Sequence, residues 1–96
     1  MLCYNYMNLK ENIEKFKYER GLSDEDIFMY AFPQGIMNED TKKIESKQVI
    51  VLLDNKNDFA RVFIDGEEKF EVISPENNFF KDLNNRKISI NEKDYI

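Results

Sequence analysis

The chain has 96 residues, of which 42% are hydrophobic and 34% charged, with a formal net charge of −5 and neither His nor Trp. That length supports one domain spanning 1–96, because two cores would each be too small to offset chain entropy, and the composition excludes global disorder. Without His there is no unperturbed side chain titrating near neutrality, no His-activated nucleophile and no imidazole metal ligand.

The single cysteine, Cys3, cannot close an intramolecular disulfide. No basic-then-apolar leader opens the chain, and no window approaches the roughly 20 apolar residues of a membrane helix, so the expectation is a cytoplasmic protein. Abundant Lys, Glu, Asn and Ile with little Gly or Pro point to an AT-rich coding genome, such as that of a low-GC bacterium or its phages.

In chain order, residues 1–7 (MLCYNYM) carry no clear period and read as a flexible arm. Asn8 as N-cap, Glu11 three residues later, and Leu9, Ile13 and Phe16 at helical spacing predict a first helix over about 9–20, stopped by Gly21. Ser23 before Asp24, Glu25 and Asp26 is an N-cap with acids in the first turn, Asp26 in the capping-box position. It predicts a second helix from Asp24 to Ala31, apolar over most of its circumference and ended by Pro33. The two helices would form a hairpin about Gly21-Leu22. Residues 34–46 have turn chemistry at Gly35 and Asn38-Glu39-Asp40 and no period, and are expected to be a long connecting loop.

Gln48–Ile73 reads as three antiparallel strands. Five successive apolar residues, Val49 to Leu53, require cover on both faces and hence a central position. A polar turn at Asp54–Asp58 leads to Phe59–Ile64, and Asp65-Gly66 turns the chain into Glu68–Ile73. A two-residue turn would set Val62 against Lys69, whereas a three-residue turn, Asp65–Glu67, sets Val62 against Phe70, Ala60 against Val72 and Arg61 against Glu71. The second register matches like with like and predicts an Arg61–Glu71 ion pair. A three-residue turn at Asn55–Asn57 would then group Ile50 and Leu52 with Ala60, Val62, Phe70 and Val72, and Val49, Val51 and Leu53 with Phe59, Phe63 and Ile73. Ser74-Pro75 predicts a third helix to about Leu83. Lys87–Asn91 alternates Ile88 and Ile90 with polar residues, as an edge strand would, and 92–96 is a tail from which Tyr95 and Ile96 could dock. The expected fold is α+β: an N-terminal helical hairpin packed on a three- to four-stranded antiparallel meander, with a third helix before the last strand.

Few constellations carry chemistry. Asp54–Asp58 lacks a calcium loop's third-position oxygen ligand and sixth-position glycine, and reads as a solvated turn. Cys3 has no base to activate it. The phenylalanines at 59, 63, 70, 79 and 80 read as core. No catalytic, cofactor or metal residues are expected. Leu9–Ile27, LKENIEKFKYERGLSDEDI, resembles the first two helices of phage-repressor-type helix-turn-helix domains; that resemblance implies a following turn and recognition helix and a DNA-binding regulator. No DNA-contacting residue is carried over, since acids outnumber bases over residues 1–46.

The acids themselves define the candidate surface: Asp24, Glu25, Asp26, Glu39 and Asp40, with the sheet-edge residues Glu67, Glu68 and Glu71. They point to a non-catalytic module that binds a protein partner, itself a nucleic-acid-binding protein, with neither direct nucleic acid nor membrane contact. Phage and mobile-element inhibitors of the anti-defence, anti-CRISPR kind share this class. The alternatives are the helix-turn-helix regulator and a small accessory protein, including a homodimer closing an apolar sheet face.

Overall fold

The structure, a computed structural model, describes residues 6–95. It is α+β: a helix α1 (Tyr6–Arg20), a 3-10 turn (Asp24–Asp26), four strands β1 (Ile27–Met37), β2 (Ile44–Asp54), β3 (Phe59–Ile64) and β4 (Glu67–Ile73), a helix α2 (Asn77–Asn84), and a final 3-10 turn (Glu92–Tyr95). The strands form one antiparallel sheet in the order β1-β2-β3-β4. Of the arm expected over 1–7, Tyr6 and Met7 open α1 and the rest lies outside the described residues.

Helix α1 ends as its sequence requires. Gly21 takes a φ of +64°, and the Leu22 N–H donates to the Lys17 carbonyl at 2.9 Å, closing the helix with a left-handed glycine and burying Leu22. The Ser23 cap also forms, its N–H and Oγ both donating to Asp26 Oδ2 at 3.0 Å. It opens only the 3-10 turn.

The expected second helix is instead strand β1, so there is no helical hairpin. Ile27–Phe32 is apolar at every position and fits a buried helix or a strand equally well; partnership decides, because β2 needs a neighbour on each side and β1 supplies one along its whole length. The helix-turn-helix resemblance therefore stops at α1. The connection expected over 34–46 shrinks to 38–43, where Asn38 Oδ1 accepts the N–H groups of Asp40 and Thr41. Gly35 is required here by a close approach: a Cβ on it would lie 2.8 Å from Ile44 Cγ2.

Strand β2 is central and buried on both faces from Val49 to Asp54. Its turn into β3 is 55–58, one residue longer than expected, with Asp54 facing Phe59 and Val51 facing Val62. That added residue reverses the face grouping: Val49, Val51 and Leu53 share a face with Ala60, Val62, Ile64, Phe70 and Val72, whereas Ile50 and Leu52 lie with Phe59 and Phe63.

Between β3 and β4 the turn is two residues, not the three expected, yet the expected pairing further along survives. Asp65 and Gly66 both have positive φ, 51° and 84°, in a two-residue turn that pairs Ile64 with Glu67. A bulge then takes up Lys69, so that Val62 faces Phe70 and Arg61 faces Glu71 as expected.

Helix α2 begins at Asn77, two residues later than the sequence suggests: Ser74 is left-handed (φ 53°) and its N–H donates to the Asp58 carbonyl at 2.7 Å, so it closes β4 rather than capping the helix. No strand follows α2, which is the second and last α-helix described. The segment expected as the last strand finds its partner in a side chain: Gln34 Nε2 donates to the Ile88 carbonyl and Gln34 Oε1 accepts the Ile88 N–H, each at 2.7 Å. Ile88 is buried as a result. The tail docks through Tyr95, which stacks on Phe70 (6.4 Å), meets Phe79 edge-on (5.1 Å) and donates to Asp82.

Candidate interaction surfaces

The face under α1 is apolar but carries two arginines. Arg61, 7% exposed, reaches Glu19 on α1 at 2.8 Å and Glu71 on β4 at 2.7 Å, with Glu68 at 3.6 Å and the Phe16 ring 5.1 Å from its guanidinium carbon. Burial alone would lower the Arg61 pKa, but its carboxylate partners outweigh that and raise it; the same bond to Arg61 lowers Glu19. Arg20 lies 3.7 Å over the Phe59 ring and donates to Asp54 at 2.6 Å. Asp54 also accepts the N–H groups of Lys56 and Asn57 and the Asn57 amide, each at 2.9 Å. Burial pushes its carboxyl upward, yet Arg20 and these donors hold it below the usual range. The first residue of the supposed calcium loop thus has its oxygens committed to the chain. No group of three or more potential metal ligands occurs among the described residues.

The structure separates the eight candidate acids. Asp24, Glu25 and Asp26 sit where α1 passes into β1. Asp24 pairs with Lys17 at 2.5 Å, and Asp26 is lowered first by the Ser23 N–H and then by the Ser23 hydroxyl. Glu39 and Asp40 lie beyond the opposite end of β1, at the tip of the β1–β2 ribbon, with Glu39 3.6 Å from Lys42. Glu67 opens β4 at that same end and pairs with Lys69 at 3.1 Å. Glu68 and Glu71 turn inward to Arg61, so their first role is to hold β4 and α1 together. Glu19 belongs to that cluster and lacks a sequence signal of its own.

Two further features were hidden by the helical reading of β1. The β1–β2 ribbon extends past β3, since Ile44–Gln48 pair with β1 alone, and the angle between it and the β3–β4 turn is a groove of about 570 Å³. Its floor is Ile36, Ile64, Phe70 and Ile90. Lys47 in its wall is raised by Glu45 and then Asp65, at 3.4 Å each.

The second feature is the outer side of β1, which has no strand beside it among the described residues. Its eleven residues, IFMYAFPQGIM, include no charge. Phe28 is 50% exposed and Met29 and Met37 47% each, while Phe28, Tyr30, Pro75 and Phe80 line a cavity of about 190 Å³. A stretch so free of charge in a chain so rich in it was the available sequence signal.

No protein-family model matches the chain, and neither does any curated protein or solved structure. No helix among the described residues is long and apolar enough to cross a membrane.

Proposed function

We propose that the protein is a small non-catalytic module that works in the cytoplasm by stoichiometric binding to a protein partner with a basic, nucleic-acid-binding surface. The observation that supports this is the way its outward acids are held. The side chains of Asp24, Glu39 and Glu67 are 89%, 81% and 76% exposed, and their partners are the lysines Lys17, Lys42 and Lys69. Such surface pairs contribute about 0–1 kcal/mol, so a partner's cations can take over these carboxylates at little cost. Acids that the fold requires, Glu19, Glu71 and Asp54, are held by arginines instead.

The two exposed groups are separated by the length of β1, roughly 36 Å for a strand of that length. A partner contacting both must offer two basic patches or one long one, as nucleic-acid-binding proteins do. Inhibitors carried by phages and mobile elements against host defence systems act in this manner. The test is affinity capture from the host with mass spectrometry, followed by charge reversal at Asp24 and Glu25, and separately at Glu39 and Asp40. Each reversal is expected to weaken capture and flatten its salt dependence. If neither changes affinity nor salt response, the reading fails.

A further inference from the structure

We infer that the outer edge of β1 is the docking surface for a second copy of this chain, joined antiparallel through Ile27–Ala31 with Met29 at the twofold axis. The unpaired backbone groups of β1 have a definite direction. Gln48 turns both its N–H and its carbonyl to Asp65, at 2.9 and 2.8 Å, and so offers neither to Pro33, which it faces. Pro33 therefore occupies a non-hydrogen-bonded pair of the β1–β2 ladder, and its missing N–H lies on the open side. Pairs alternate along an antiparallel ladder. The odd-numbered residues of β1 accordingly point their N–H and carbonyl groups outward, and Asp26, just before the strand, obeys the same alternation by accepting the Asn55 N–H at 2.9 Å.

Water satisfies these groups in a free monomer, and a protein segment that takes them up in series is an extended strand. Charge then identifies it. Two copies of a chain with net charge −5 repel over most of their surfaces. The outer strand β1 is the exception, because a partner identical to it brings no charge to the contact.

The register follows from Pro33 and from side-chain size. Centring the pair on Met29 places Ile27 opposite the partner's Ala31 and Phe28 opposite the partner's Tyr30, and leaves Pro33 beyond the ladder. Centring it on Pro33 would instead set two donor-less residues against each other. The Met29-centred register matches large with small on the α1 face and ring with ring on the other, and it covers the half-exposed Phe28 and Met29. A short ladder of this kind lies at the small end of specific interfaces, under about 1,200 Å², so dissociation in roughly the micromolar range is expected.

The experiment is the solution mass of the full chain by sedimentation or light scattering, from dilute to about 1 mM, the limit of weak specific association. The wild type is expected to rise from 11.5 kDa toward twice that mass. Met29→Pro deletes an outward N–H only, and should remain at the monomer mass with an unchanged circular dichroism spectrum. Met37→Pro makes the same deletion outside the paired segment and should still dimerise. Should Met29→Pro not fold, Met29→Lys, which places like charges together at the axis, serves in its place and is expected to stay monomeric. A wild type that stays monomeric at all concentrations overturns the inference, as does a folded Met29 variant that dimerises like the wild type. Neither result touches the acidic-surface reading, whose own charge reversals leave β1 intact.

Discussion

The two outer strands of the sheet manage the same problem in opposite ways. Strand β4, EEKFEVI, is shorter, has four charged residues among its seven, is bulged at Lys69 and has Tyr95 of the tail stacked on its Phe70. Charges and bulges of this kind stop a sheet from growing. Strand β1 is longer, uncharged, and interrupted on its open side only by Pro33. With one edge so fully protected and the other bare among the described residues, the sheet has one side closed and one side that accepts a strand.

The comparison can be broken most severely by proline placement. Tyr30→Pro, where the N–H is turned inward to β2, should cost about 3 kcal/mol or more, whereas Met29→Pro one residue away should cost under about 1. Equal losses in chemical denaturation would mean that the assigned directions along β1 are wrong. Next in size is Arg61→Ala, which releases Glu71 and Glu68 from β4 and Glu19 from α1. Because the partner carboxylates are 37–46% exposed and can regain water, a loss of about 2 kcal/mol is expected, less than for a fully buried pair.

Asp54 gives a pH-dependent version of the same test. Its folded pKa is lowered, so its contribution is fully present above the unfolded value of about 3.9 and is lost as pH falls through the lower folded value. Asp54→Asn should be less stable by about 1–3 kcal/mol at neutral pH and show a shallower loss on acidification. The smallest effect concerns the tail over β4. Burial, then the bond to Asp82, pushes the Tyr95 phenol up to about 12. Its contribution is therefore intact below about pH 10 and lost as pH rises toward the folded value. Tyr95→Phe should cost about 1 kcal/mol and remove the phenolate transition near pH 12 from an absorbance titration.

Legibility in the sequence followed the same division between charged and uncharged strands. The β3–β4 register could be read because Arg61 and Glu71 broke the apolar pattern and could be matched. The facing of β2 could not, since Val49, Val51 and Leu53 on one side and Ile50 and Leu52 on the other are equally apolar, and a turn longer by one residue exchanged them. Strand β1 was hidden for the same reason, compounded by the Ser23–Asp26 cap, which signals a helix and yields a single 3-10 turn. Gly21 marked the end of α1 correctly because a left-handed glycine depends on the local chain alone. Gln34 as a surrogate strand for Ile88 depends on a partner 54 residues away and left no local trace. Among the acids, the sequence matched Glu71 to Arg61 but missed two other arginine-bound carboxylates, Glu19 and Asp54.

Amide exchange at adjacent positions of β1 tests the open edge most directly. The Tyr30 N–H should be protected at every concentration. Those of Met29 and Ala31 should exchange rapidly in dilute solution and slow markedly as the protein is concentrated and a second β1 strand takes them up. Rapid exchange at Met29 and Ala31 up to the highest concentration, or protection there in the dilute monomer, would contradict the account.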